Sequence, residues 1–288
     1  LWLDEILDVI SSTKPTISGL IQYVPQNAGG VPLGYLVQRL SFQLFGVTEF
    51  SARLPSALSS VAAAYGVYLL AKRTGIWSPL AAVMLFCILP MQWRYAMEGR
   101  PYAMALALSV WSSVVFLHFM NGPIISVGLL YLLLVTAALY TNPYSFFVPV
   151  AHIAWMLLYS ARSVKVKLLA CAAALGAGLL FLPWYLYARH TWIVSVPLNG
   201  HTSAVKSVEL IARELVGAGY FGTFLMLGLA TAGWRRNPSS FLATCALVPI
   251  PLVFAGNAMF HYFLAARQFV FVLPPLCLLA ANGLYANR

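Results

Sequence analysis

Few residues in this chain carry charge. Asp, Glu, Lys and Arg make up 8% of its 288 residues, and only 7 of them are acidic. A soluble domain carries about 25% charged residues, so this chain cannot cover a water-facing surface, and a soluble globular fold is excluded. Cysteine is scarce too. Cys87, Cys171, Cys245 and Cys277 each lie singly in an apolar run, which excludes a disulfide framework or the paired spacing of a zinc site and leaves them as small core residues. The chain has no P-loop, no GxGxxG before a helix, no HExxH and no GxSxG, so nucleotide-driven chemistry has no motif to rest on. It has no internal repeat, low-complexity tract or soluble domain.

Apolar residues take the place of the missing charge. They make up 61% of the chain, with a mean hydropathy of +0.82. A hydrocarbon core of about 30 Å needs about 20 such residues in a helix. That length predicts spans near 53–71, 77–97, 101–120, 124–141, 144–161, 167–187, 210–232, 239–257 and 264–285. The expected fold is therefore all-α: a polytopic transmembrane bundle of about nine spans. Turn signals at "NGP" 121–123 and "TNP" 141–143 make the connections tight. The opening at Leu1 reads as late in a helix, so at least one helix is expected to be missing before it. Residues 1–288 then form a single truncated domain, with outer loops at 1–52 and 188–209.

The segment 31–47, "VPLGYLVQRLSFQLFGV", is short and interrupted by Gln38, Arg39 and Gln43, which suits a helix lying flat at the interface. With that reading the loops sort by charge. One side receives Lys72, Arg73, Arg162, Lys165, Lys167, Arg235, Arg236 and Arg288; the other receives all seven acids, Asp4, Glu5, Asp8, Glu49, Glu98, Glu209 and Glu214. The positive-inside rule makes the first side cytoplasmic. The net charge of +10 is thereby explained by membrane orientation, and nucleic acid is not an expected partner, since no basic stripe with stacking aromatics occurs.

Three of the seven acids fall in "LWLDEILDVI". They either solvate the water end of a helix or supply a base in a membrane-edge pocket, where partial desolvation raises basicity. Asp4 and Asp8, four residues apart, can share a helix face. In "WRYAMEGRPYAMAL" (93–106), Arg94 and Glu98 are spaced for an ion pair, and Arg100 and Tyr102 flank Pro101. This is either a salt-bridged hairpin or an anion pocket in which guanidinium forks meet phosphate. In "HYFLAARQFVFVLPPL" (261–276), Arg267 lies about a turn inside the last span, where it snorkels or faces a cavity; His261 sits at the same edge. Trp184, Tyr185 and Trp192 read as an interfacial belt or a sugar platform.

Taken in order, "LWLDE", "VPLGYLVQRLSFQLFGVTEFSARLPSAL", "RYAMEGRPYAMALAL", "FLPWY" and "ARQFVFVLPPLCLLAANGL" resemble the polytopic GT-C glycosyltransferases, in particular the protein O-mannosyltransferase and lipid A aminoarabinose transferase group. The resemblance implies that Asp4 is the catalytic carboxylate with Glu5 beside it, and that Glu98 is the acid at the outer end of a later span. It also places Arg267 near the donor phosphate. Two departures stand out. Gly30-Val31-Pro32 replaces the His-Pro-Pro or Lys-Pro-Pro of many relatives, and Thr141-Asn142-Pro143-Tyr144 replaces their Thr-His-Tyr.

The expected activity is transfer of a sugar, with inversion, from a polyprenyl-phosphate donor to an acceptor hydroxyl on the extracytoplasmic face. Asp4, Glu5 and Glu98 are the catalytic candidates; Arg94, Arg100, Tyr102, His261 and Arg267 are the substrate-binding ones. The acceptor is a lipid, glycan or protein, and membrane lipids surround the bundle. No cofactor is certain; a divalent cation bridging the phosphate to Glu98 or Asp4 is an option without a ligand motif. The alternative is a transporter or flippase of a lipid-linked anion, which calls for polar groups near mid-membrane.

Overall fold

Ser, Thr and Pro residues set where the helices begin. A computed structural model of the chain describes residues 3–27, 30–195, 209, 213–214, 216–217, 219–236, 239–260 and 265–284, and these contain helices and turns without a strand. Helix α1 runs Leu3–Ser12 and α2 Ile17–Tyr23, where Thr16 Oγ1 accepts the Gly19 N–H at 3.0 Å. Helix α3, Pro32–Phe45, starts on a proline and stops at Gly46, whose φ of 76° few other residues tolerate. Helix α4, Glu49–Arg73, opens with a reciprocal capping box between Thr48 and Ser51.

Next come α5 (Pro79–Ile88), α6 (Pro90–Met97), α7 (Tyr102–Asn121), α8 (Ile125–Leu139), α9 (Phe147–Tyr159) and α10 (Val164–Ser195). The later part contains helices Gly219–Arg236, Ser240–Leu247, Pro249–Phe260 and Leu273–Gly283, the last preceded by a 3-10 segment, Ala266–Val272.

Five of these stretches are long and apolar enough to cross a membrane: Glu49–Arg73, Tyr102–Asn121, Val164–Trp192, Ser240–Met259 and Ala266–Gly283. The expected span 77–97 is instead a pair bent by 67°. Pro90 causes the break: it withholds an N–H from the helix ladder and forces Leu89 into extended backbone, φ −65° and ψ 128°. The stretches at 125–139 and 143–159 are shorter apolar helices. The expected loop 188–209 begins later than its sequence suggests, because α10 continues through Pro183 to Ser195; 196–208 lie outside the described residues.

Helices α4 and α7 run parallel. Ser56 Oγ donates to the Arg100 carbonyl at 2.9 Å, and further along Trp111 Nε1 donates to the Ala62 carbonyl at 3.0 Å. A Cβ on Gly66 would lie 2.7 Å from Val110 Cγ1, so hydrogen at this position is what lets the two helices approach. Backbone meets backbone where Gly219–Arg236 crosses Leu273–Gly283: a Cβ on Gly233 would fall 1.9 Å from the Leu279 carbonyl oxygen, and one on Gly283 2.0 Å from that of Leu229. Small residues drive such crossings in lipid, where no hydrophobic force separates helix from solvent.

The bundle centre is apolar, with Phe86, Phe116, Tyr131, Phe241 and Leu278 buried. His152 is fully enclosed there. Its Nδ1 meets the Tyr131 hydroxyl at 3.0 Å and its Nε2 the Ser113 hydroxyl at 2.9 Å, while Phe116 stacks on its ring at 4.7 Å. Both ring nitrogens are thus paired within α7, α8 and α9.

The described charges divide between the two ends of the bundle. Glu49 at the start of α4, Glu98 at the end of α6 and Arg100 before α7 share one end with α1 and α3, which hydrogen-bond to the 99–100 turn. Lys72 and Arg73 close α4 at the other end. There Arg162 Nη2 donates to Asn121 Oδ1 at 3.0 Å, across the exit of α7.

Candidate active site

Helix α1 is amphipathic in an inverted sense. Its polar residues Glu5, Asp8, Ser11 and Ser12 are buried, whereas Ile6, Leu7 and Ile10 are exposed. A periodicity of 3.6 puts Glu5, Asp8 and Ser12 on one inward face. This placement explains why a chain so poor in acids concentrates them here. Burying a carboxylate is costly unless it is paired, and both inward acids are paired.

Glu5, 1% exposed, accepts the Gly99 N–H at 2.6 Å on Oε1 and takes Arg53 Nη2 at 3.2 Å on Oε2. Asp8 accepts the Tyr35 hydroxyl at 3.2 Å on Oδ1, and its Oδ2 lies 3.4 Å from Arg100 Nε. Burial, and then the Asp8 carboxylate, raise the Tyr35 phenol well above its ordinary range, so the hydroxyl stays protonated and keeps donating. Asp4 lies on the same helix; its side chain is outside the described residues.

The Glu98–Pro101 turn, where the chain leaves helical geometry at Glu98 with φ −84° and ψ 138°, is held on every side. The Gly99 N–H goes to Glu5. The Gly99 carbonyl accepts Gln38 Nε2 at 2.8 Å, and Gln38 in turn accepts the Ser12 hydroxyl at 2.7 Å. The Arg100 carbonyl accepts Ser56. This arrangement fixes the side chains on either side of Gly99. Glu98 pairs with Arg94 at 2.9 Å, the i, i+4 bridge expected from the spacing.

Arg100 lies over the Tyr102 ring, with its guanidinium carbon 5.0 Å from the centroid, and Arg267 approaches the same ring at 6.0 Å. Asp8, Glu98, Arg100 and Arg267 are all within electrostatic reach of the Tyr102 phenol. Four of the residues singled out from the sequence, Glu98, Arg100, Tyr102 and Arg267, therefore converge, although Arg267 comes from the far end of the chain. Arg94 joins them through Glu98. His261 lies outside the described residues.

Sequence reasoning passed over Asp8 as the partner of Arg100, and Tyr35, Gln38, Arg53 and Ser56 as the groups that brace the site. The one available signal was the three-residue spacing of Glu5 and Asp8, which puts both on one face.

Arginine near an aromatic face supplies a planar, desolvated cation suited to phosphate. Two of them on one ring, beside carboxylates at the end of a membrane bundle, can hold a lipid phosphate while a nearby base acts on an incoming hydroxyl. A divalent cation would draw on Glu98 and Asp4. The Glu98 carboxylate is engaged by Arg94, and among the described residues no cluster of three His, Cys, Asp or Glu stands ready for a metal.

The model of one protein family, described as dolichyl-phosphate-mannose-protein mannosyltransferase, matches residues 27–187. A search of curated proteins gives no match. Among solved structures, ArnT from Cupriavidus metallidurans in the apo state is similar at a TM-score of 0.63 and 14% identity, covering 98% of this chain and 58% of that one. The same protein bound to undecaprenyl phosphate gives 0.65 and 15%, covering 88% and 50%. The archaeal oligosaccharyltransferase AglB from Archaeoglobus fulgidus, in complex with an inhibitory peptide and a dolichol-phosphate, gives 0.60 and 12%, covering 98% and 45%. The chain thus spans about half the length of the structures it matches, and at these identities what it shares with them is the fold.

Proposed function

The chain belongs to the dolichyl-phosphate-mannose-protein mannosyltransferase family, within the GT-C superfamily, and from that premise we propose that it moves a sugar from a polyprenyl-phosphate carrier to an acceptor hydroxyl at the extracytoplasmic face. The observation that carries this reading is the convergence of Arg100 and Arg267 on Tyr102 beside α1. The carriers seen with relatives of the same fold, undecaprenyl phosphate on ArnT and dolichol-phosphate on AglB, support it. The charge division between the two ends of the bundle supports the choice of face.

The chemistry follows from the donor. A phosphate leaving group departs as an anion and needs positive charge more than it needs a proton. Arg100 and Arg267 stabilise it as the bond from the anomeric carbon to the phosphate oxygen breaks and the electron pair leaves with the carrier. An acceptor hydroxyl is a weak nucleophile. Asp4 takes its proton as the oxygen bonds to the anomeric carbon. A single displacement of this kind inverts the anomeric centre, by analogy with glycosidases that use one base on the face opposite the leaving group. Glu5 is not free to share this role, since its carboxylate is bound to Arg53 and Gly99; it anchors α1 and so sets where Asp4 stands. Glu98 with Arg94 forms the rim of the site.

The test is release of free polyprenyl phosphate by the purified protein from a carrier bearing a radiolabelled sugar, with the label followed into an acceptor. Stoichiometric carrier release and acceptor labelling are expected. Movement of intact donor across a vesicle membrane with no release would instead identify a flippase.

A further inference from the structure

Asp8 is the inward carboxylate to which this mechanism gives no task. It stands one turn along α1 from Asp4 and is 4% exposed. Its surroundings are built rather than incidental. Tyr35 reaches it because α3 lies almost against the 99–101 turn: a Cβ on Gly34 would sit 2.6 Å from Pro101 Cβ. Tyr35 is itself held by Asn27 Nδ2 at 3.0 Å, and Asn27 also donates to Ser11 Oγ at 3.2 Å. Asp8, Gly34, Tyr35, Arg100 and Pro101 line one small cavity behind the site.

We propose that Asp8 is a positioning residue: braced by Tyr35, it holds the Nε edge of Arg100 so that the guanidinium stays over Tyr102 beside Arg267, forming a two-arginine subsite for the carrier phosphate. The proposal rests on the phosphate-binding reading of Arg100 and Arg267. Its physical content is preorganisation. An arginine side chain has many rotamers, and freezing one of them when the ligand arrives weakens binding; a buried carboxylate on the inner edge does this beforehand. Charge alone predicts the opposite outcome. Asp8 is an anion near an anion site, so removing its charge would tighten phosphate binding if it had no positioning role. The sign of the effect therefore separates the two.

The experiment is titration of the purified full chain with undecaprenyl phosphate, without sugar, for wild type, Asp8→Asn, Asp8→Glu, Tyr35→Phe, Arg100→Lys and the double variant Asp8→Asn/Arg100→Lys, each checked for a cooperative thermal melt. Asp8→Asn is expected to weaken binding about 10-fold, and Asp8→Glu to restore most of the loss. The double variant is expected to bind no worse than Arg100→Lys alone, because both changes remove one device. If Arg100→Lys binds like wild type, the phosphate reading falls and this proposal with it. If Arg100→Lys is weakened but Asp8→Asn binds as well as wild type or tighter, or if the two losses multiply, the positioning role is overturned and the phosphate reading stands. Should Asp8→Asn fail to fold, Tyr35→Phe, which keeps the ring and its volume, decides instead. A loss of about 3-fold that disappears in the Arg100→Lys background supports the brace, and unchanged binding overturns it.

Discussion

Glu5 shows how much of the site rests on single buried groups. Its carboxylate is enclosed, yet its partner Arg53 is about a third exposed, so the pair is worth less than the ~3–5 kcal/mol lost when one partner of a fully buried bridge is removed. Glu5→Gln is expected to cost about 2 kcal/mol of stability, read as a lowered thermal midpoint, and to reduce transfer because the Gly99 turn loosens; an unchanged midpoint would mean the latch is not structural. The Arg94–Glu98 bridge was legible in the sequence, because four residues on a helix make neighbours. The Arg53–Glu5 and Asp8–Arg100 pairs were not, because they join separate elements and no local spacing encodes them. Glu5 and Asp8, three apart, turn inward together; the expected sharing of a face by Asp4 and Asp8 falls on a side chain, that of Asp4, outside the described residues.

At the scale of elements, hydropathy located the apolar segments well because the bilayer imposes their length. It located their shape less well. The bend at Leu89–Pro90 was written in the proline, but a window long enough to detect a span averages it away; the same averaging ended α10 too early at the aromatic belt. Within 31–47, α3 turns Gln38 and Ser41 inward to carbonyls of neighbouring elements, the cross-helix pairing that polar side chains adopt in a bundle. The contact of α3 with the 99–101 turn depends on Gly34. Gly34→Ala would press a methyl into Pro101, and such overpacking costs about 1–3 kcal/mol. The expected result is a protein that still inserts into membranes but transfers sugar poorly, with Gly34→Ser worse than Gly34→Ala. Wild-type turnover in Gly34→Ala would show that the approach of α3 has no bearing on the site.

For the molecule as a whole, the decisive feature is the separation of charge. In a chain with 7 acids and 17 Lys and Arg, carboxylates and the arginines that neutralise them gather at one end, while Lys72, Arg73 and Arg162 face the other. Cysteines introduced at Glu49 and at Arg162, both exposed, are expected to react with a membrane-impermeant thiol reagent from opposite sides of the bilayer; labelling from the same side would remove the basis for placing the site outside. Asp4 is the proposed base of the transferase, and the most direct measurement is paired: sugar transfer and undecaprenyl phosphate binding in Asp4→Asn. Transfer should fall by about 10²–10⁴-fold with carrier affinity unchanged. Transfer at the wild-type rate in that variant would contradict it.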